Sequence, residues 1–231
     1  MTRLVVISDI HSNLDALEAV VRRFPDYDEL FCLGDLVGYG PQPNEVIERI
    51  RELQPSAVLA GNHDKAVVSG NTVDFSENAA KAVDWTRKRI REEHRQYLAT
   101  LNPKATLEIN GTTIALYHGS PRDPLNEYIY HDLSDTDAQA LTHRAEANVV
   151  LLGHTHIPML RAMDGLTIAN PGSVGQPRDG DPRASFATLT ISNYQLKFQI
   201  ERAEYDVASV ASMIQESGLP KFLAERLFIG A

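Results

Sequence analysis

An α/β fold with a largely parallel sheet is predicted by three observations. Short β-branched stretches alternate with helix-patterned ones early in the chain, each of those strands opens into a loop rich in glycine or acidic residues, and alternating strand-like stretches dominate the later part. Consecutive β-α units require parallel strands joined by crossover helices, and ligands of such sheets gather in the loops beyond the carboxyl ends of the strands.

The first unit is a strand over 4–8, the loop Asp9-Ile10-His11-Ser12, and then Leu14, Leu17, Val20, Val21 and Phe24 at helical spacing. The second is a strand over 29–33, a glycine-rich loop over 34–42, and a helix over 43–53 that Pro43 can open at its first position. A third strand, 57–60, runs into Gly61-Asn62-His63-Asp64. Residues 76–101 are highly charged with periodic Ala80, Val83, Ile90, Leu98 and Leu101, which predicts one or two helices; the stretch 66–104 is assigned as a helical cap or flank. Asn110-Gly111 between strands over 106–109 and 113–117 is a hairpin signal, and the second of these strands delivers His118-Gly119. A helix over 135–147, a strand over 149–152 and the loop Gly153-His154-Thr155-His156 follow. Alternation over 159–161, 166–169, 186–191 and 195–200 predicts a second, antiparallel sheet, and 206–231 a helical tail. No linker, repeat or low-complexity tract marks a boundary, so 1–231 reads as a single domain.

Composition narrows the functional classes. The 231 residues are 43% apolar and 23% charged, with no apolar run long enough for a bilayer and no signal-like N-terminus, so a cytoplasmic protein without a membrane partner is expected. A net charge of −9 argues against a broad basic face for extended nucleic acid. Cys32, the single cysteine, sits in an apolar run and reads as a small core residue rather than a nucleophile.

The chemistry concentrates in five segments that follow predicted strands: Asp9-Ile10-His11, Gly34-Asp35, Gly61-Asn62-His63-Asp64, His118-Gly119 and Gly153-His154-Thr155-His156. Carboxylate and imidazole together suit Mn, Fe and Zn, and Asp-x-His or His-x-His in an extended loop can aim two ligands at one point. Each piece alone has a plainer reading, since Asp9 or Asp35 can cap a turn, Asn62 can stabilise one, and a single histidine is more often a hydrogen-bonding group. The set is different. Five of the eight histidines fall in these loops, and His94, His131 and His143 fall outside them.

Asp-x-His, Gly-Asp, Gly-Asn-His-Asp, a separate His and Gly-His-x-His, in that order over residues 9–156, resemble the calcineurin-like metallophosphoesterase superfamily. Asn170-Pro171-Gly172-Ser173-Val174-Gly175 is also similar to the segment that follows the last motif in its small prokaryotic, phosphodiesterase-like branch. The resemblance implies a four-layer α/β/β/α sandwich with a small helical cap or flank. It also implies two divalent metal ions, one held by Asp9, His11, Asp35 and His156 and the other by Asp35, Asn62, His118 and His154, with Asp35 bridging. Mn is expected first, with Fe, Zn, Co or Ni as alternatives. The implied reaction is hydrolysis of a small phosphate ester, phosphodiesters or small nucleotides foremost, by attack of a metal-bridging hydroxide with His63 as proton donor and Asp64 as its orienting carboxylate, a helix cap after the loop being the other reading of Asp64. Asn62, His118 and Arg178 are assigned to the substrate phosphate, although a solvated loop arginine is an equal reading of Arg178, and Arg122 or Arg183 compete for the role. Tyr39 stacks on a base, walls the cleft or, as the favoured reading, packs, and the helix of Trp85 covers the site or packs on the core. A dinucleoside polyphosphate hydrolase, a Ser/Thr protein phosphatase and a metal-binding interaction scaffold share the same motifs and are the competing readings.

Overall fold

The computed structural model describes residues 1–163, 165–192 and 195–231. Its layering follows from β1 (Thr2–Ile7), where Leu4, Val5, Val6 and Ile7 are all fully buried. Successive side chains of a strand point to opposite faces, so a strand buried throughout needs a partner layer on each side. Val5 and Ile7 share an apolar core with Leu17 and Val20 of α1 (Leu14–Val21) and with Val46 and Ile50 of α2 (Pro43–Leu53). Leu4 and Val6 belong instead to a core with Ile114, Leu116, Val149 and Leu151 of a second sheet. The other face of that sheet, through Ala115, Tyr117, Val150 and Leu152, is covered by Ala138 and Leu141 of α6 (Asp135–Ala145). Helix, sheet, sheet, helix is the expected four-layer sandwich.

The first sheet runs β10-β9-β1-β2-β3, with β2 (Glu29–Cys32), β3 (Ala57–Val58), β9 (Ala184–Ser192) and β10 (Gln195–Ala203). β1, β2 and β3 are parallel, and β9 joins β1 antiparallel with Leu4 opposite Leu189. The second sheet runs β4-β5-β6-β8-β7, with β4 (Lys104–Ile109), β5 (Thr112–Tyr117), β6 (Val149–Leu152), β7 (Met159–Met163) and β8 (Leu166–Asn170). Here β5, β6 and β8 are parallel, with β4 and β7 antiparallel at the edges. The late strands therefore do not build an antiparallel sheet of their own. β7 and β8 complete the second sheet while β9 and β10 extend the first, because β8 and β9 are buried along most of their length and need covered positions beside β6 and β1.

The stretch 66–104 supplies the end of α3 (Asn62–Ser69), then α4 (Glu77–Arg87) and α5 (Glu92–Thr100). Val83 and Leu98 join the core beneath α1 and α2. Ala79 and Ala82 pack with Val210, Ile214 and Leu223 from α7 (Val207–Glu216) and α8 (Lys221–Glu225), so these helices flank the first sheet together with the tail. Trp85 is used in that flank: its Nε1 donates to the Ser217 carbonyl at 2.8 Å, and the Arg89 guanidinium lies 4.1 Å over its ring. Cys32 is fully buried, and burial pushes its thiol up to about 12, in keeping with a core role. Among the described residues no helix is long and apolar enough to cross a membrane.

Candidate metal centre

The ligand-bearing segments follow the carboxyl ends of parallel strands: β1, β2 and β3 in one sheet, β5 and β6 in the other. Backbone hydrogen bonds bring them to one place. The Asp35 carbonyl accepts from the N–H groups of Ile10 and His11 at 2.9 and 3.0 Å, and the His154 N–H donates to Asp9 Oδ2 at 3.1 Å across the two sheets. From the later segment, the Ser173 hydroxyl and the Gly175 N–H both donate to the Asp9 carbonyl, at 2.7 and 3.0 Å.

Such convergence requires unusual backbone. Asp9, His11, Asp35, His154 and His156 all have positive φ, at 54°, 49°, 52°, 67° and 61°. Each non-glycine residue held there costs about 1 kcal/mol or more, so the surrounding packing must hold the loops in place. Gly61 answers a different demand: a Cβ at this position would lie 1.9 Å from Asp35 Oδ1. The sequence places Asn62, His63 and Asp64 in a loop, whereas the structure puts them in the first turn of α3, with Gly61 as its N-cap.

Two overlapping ligand groups result. One atom from each of Asp9, His11, Asp35 and His156 lies within 4.8 Å of the others, and Asp35, His118 and His154 form a second group by the same measure. Asp35 belongs to both. Asn62 adjoins the second group, its Oδ1 lying 3.2 Å from His118 Nε2.

The hydrogen-bond partners fix which atoms face inward. His11, His118 and His156 each direct Nδ1 at a carbonyl, of Val37 at 3.1 Å, Leu33 at 2.9 Å and Gln176 at 2.6 Å. A carbonyl only accepts, so each Nδ1 carries a proton, and in the neutral ring Nε2 then presents a lone pair. His154 is reversed, with Nε2 donating to the Asn126 carbonyl at 3.1 Å, which leaves Nδ1 as its lone pair. Asp9 and Asp35 each use one oxygen on a backbone N–H, while Asp9 Oδ1 and Asp35 Oδ2 are buried without a hydrogen-bond partner. These bare oxygens face imidazole lone pairs: His156 Nε2 is 3.3 Å from Asp9 Oδ1, and His11 and His118 Nε2 are each 3.5 Å from Asp35 Oδ2. A buried cluster of acceptors without donors is costly by itself and fits divalent cations. The residues present can hold metal.

Burial also sets the charges. It pushes Asp9 up to about 7, the nearby Asp35 charge adding to the rise, and it holds Asp35 well above the usual carboxylate range with help from Asp64. Burial lowers His154 to about 3 and drives His11 and His156 well below the ordinary imidazole value. His11, His154 and His156 are thus neutral and ready to coordinate, and cations would supply the positive charge that lets the carboxylates ionise.

The remaining candidate residues surround this cluster. His63 is buried, its ring 4.9 Å from His11, 4.4 Å from Tyr39 and 4.8 Å from Phe75 between centroids, and its Nδ1 has no hydrogen-bond partner. Asp64 does not bond to that ring: its two oxygens accept from the N–H groups of Val37 and Gly61, at 3.1 and 2.9 Å, closing the first turn of α3 onto the Asp35 loop. Tyr39 packs between His11 and His63 as a wall. Arg178 reaches Tyr39 OH at 3.3 Å and Gln176 Oε1 at 3.1 Å, and its Nε has no partner. Arg122 and Arg183 are paired elsewhere, each 2.6 Å from a carboxylate, of Glu127 and Asp181. His94 is buried against Asn44 in the helical flank, while His131 and His143 are exposed. Two contacts of the centre have no motif in the sequence: the carbonyl of Asn126 on His154, and the ring of Tyr128 stacked 3.9 Å from the His154 ring.

Residues 2–194 match the family model described as the calcineurin-like phosphoesterase superfamily domain. A metallophosphoesterase from Sphaerobacter thermophilus is 37% identical, with a TM-score of 0.85 over 100% of this chain and 99% of that one. An uncharacterized protein of Methanocaldococcus jannaschii is 36% identical over 98% of both chains. The phosphodiesterase YfcE of Escherichia coli is 26% identical over 82% of this chain and 88% of its own.

Proposed function

This chain belongs to the calcineurin-like phosphoesterase superfamily, and from that premise we propose that it is a phosphoric ester hydrolase dependent on two divalent cations, with phosphodiesters preferred. The observation that carries the reading is Asp35: a buried carboxylate that belongs to both groups of ligand atoms, its Oδ2 free of hydrogen bonds and 3.5 Å from His11 Nε2 of one group and from His118 Nε2 of the other. In this reading Asp9, His11, Asp35 and His156 hold one cation, and Asp35, Asn62, His118 and His154 the other, with Mn first among the candidate ions. When bound, the pair supplies Lewis-acid polarisation of the phosphoryl oxygens and acidification of water.

The chain's own groups do the rest. His63, kept neutral by burial and by the Arg178 charge, still carries one proton on its ring, and that N–H is the donor to the leaving oxygen. Asp64 acts through the backbone, fixing the His63 turn against the Asp35 loop, rather than through the ring. The Arg178 guanidinium meets a non-bridging phosphate oxygen by charge-assisted hydrogen bonds. Preference for diesters is supported by the E. coli phosphodiesterase among the relatives. It is supported also by a cleft of about 280 Å³ beside Asn62, lined by Lys65, Ser69, Asn71, Phe75 and Asn126, which offers room for a second ester substituent.

The test is hydrolysis of 4-nitrophenyl phosphate and bis(4-nitrophenyl) phosphate by metal-stripped protein reconstituted with Mn, Zn, Fe, Co or Ni. Metal-dependent turnover with the diester faster is the expected result. No turnover with any of these ions, despite uptake of two per chain, would replace the hydrolase by a metal-binding interaction scaffold.

A further inference from the structure

Between the ligand segments His118-Gly119 and Gly153-His154-Thr155-His156 the chain runs through a loop whose aromatic side chains have no role in the centre described above. Residues 127–130 have neither helical nor strand structure, yet their side chains alternate as in an extended chain: Tyr128 is 47% exposed, Ile129 is 5% exposed, and Tyr130 is 44% exposed. Ile129 belongs to the core between α6 and the second sheet, together with Leu141 and Val150. That anchor turns both tyrosines outward on one side, where their rings lie parallel within 5° at 6.1 Å between centroids.

The loop is also fixed at its start. Asp123 Oδ1 accepts from the N–H groups of Leu125 and Asn126, both at 3.1 Å, and the Asn126 carbonyl accepts from His154 Nε2. Tyr128 then lies on the His154 ring at 3.9 Å with 26° between planes. A ligand histidine, a tyrosine on its face and a second tyrosine parallel to the first thus form one ordered set, leading from the candidate metal centre to solvent.

Two half-exposed aromatic rings in a held orientation give up apolar surface to water unless something flat covers them. Packing on His154 accounts for Tyr128 alone; Tyr130, on the far side of buried Ile129, has its ring partner among the described residues in Tyr128. We propose that Tyr128 and Tyr130 form a stacking platform for a nucleobase carried on the substrate phosphate, so that nucleotides are the substrate class. Every nucleobase has a π-face, so the platform confers preference for nucleotides over other phosphate esters without selecting among bases. The inference rests on the adjoining centre being a phosphate site, as proposed above.

The experiment isolates the base. Binding of adenosine 5′-monophosphate and of ribose 5-phosphate to Mn-reconstituted protein is measured by calorimetry, with bis(4-nitrophenyl) phosphate turnover followed on the same preparations. The nucleotide is expected to bind about 5- to 150-fold more tightly, the range of base–aromatic stacking. That ratio is expected to fall toward one in Tyr128→Leu and in Tyr130→Leu, and to persist in Tyr130→Phe. Tyr130 makes no ring contact with His154, so its variants separate stacking from damage to the centre. Equal affinities in the parent protein, or a preference that survives in both leucine variants, would overturn the platform. Diester turnover without base preference would overturn it too while sparing the hydrolase. A tyrosine-dependent preference without turnover of any ester would keep the platform and remove the hydrolase.

Discussion

His11 and His156 point their Nε2 atoms at each other across 3.0 Å while each gives its Nδ1 proton to a carbonyl, so two lone pairs meet with no hydrogen between them. Such a contact is repulsive unless a cation accepts from both. Beside it, Asp9 Oδ1 is equally unsatisfied.

Stability of the metal-free protein follows from this. The Asp9 carboxyl is raised to about 7 in the fold, against about 3.9 when unfolded. A raised pKa means that the protonated form favours folding, so its contribution is fully present below about pH 3.9 and is lost as pH rises through about 7. The neighbouring histidines, whose lowered values act in the opposite direction over the same window, are shared by an Asp9→Asn variant. Chelator-treated parent protein is therefore expected to lose melting temperature relative to Asp9→Asn between about pH 4 and pH 7, and the gain on adding Mn to be larger at pH 7 than at pH 5. A gain independent of pH would show that Asp9 does not release its proton to the metal.

Asp35→Asn keeps the shape of the shared ligand and removes its charge. Metal content, read by elemental analysis, is expected to fall well below two ions per chain, and diesterase activity by at least about 100-fold, the scale of several kcal/mol of lost transition-state stabilisation.

His63→Ala is expected to behave differently. Loss of a positioned proton donor costs about 100- to 10,000-fold in kcat. Since His63 belongs to neither ligand group, two ions should still be bound. Loss of metal in this variant would reassign His63 as a structural support of the centre.

Gly61→Ala forces a methyl group against Asp35 Oδ1, and overpacking of this kind costs about 1–3 kcal/mol. The expected outcome is a folded protein with weakened Mn affinity, measured by titration. An unchanged affinity would mean that the Asp35 loop yields freely.

Much of this site was legible before any coordinates. Asp9, His11, Asp35, His118, His154 and His156 recur at strand ends with glycine neighbours, and the two groups of ligand atoms contain those residues in the partition that the family resemblance implies. Pro43 opens α2, and Asn110-Gly111 makes the turn between β4 and β5. What escaped was not local. Alternation in 186–191 reports how a strand is covered, not that it pairs with residues 2–6. Asn62 to Asp64 read as loop because the Gly61 N-cap carries no capping side chain, and α3 is closed instead by Asp64 reaching back to the Gly61 N–H. The carbonyls that set each histidine's tautomer leave no residue-type signature, since any residue supplies one. For Tyr128 and Tyr130 a signal existed in the Tyr-Ile-Tyr alternation, but only burial of Ile129 gives it meaning.

The clasp on Asp9 has a consequence for biogenesis. Its carbonyl is held by Ser173 and Gly175, and its strand is completed by β9, so the first ligand to leave the ribosome waits for some of the last segments. At about 5–20 residues per second, that interval is about eight to thirty-five seconds of translation. Through it the nascent chain carries a bare row of strand hydrogen-bonding groups along β1 and an unfinished cluster of acid and imidazole, exposed to any stray strand or free cation in its surroundings.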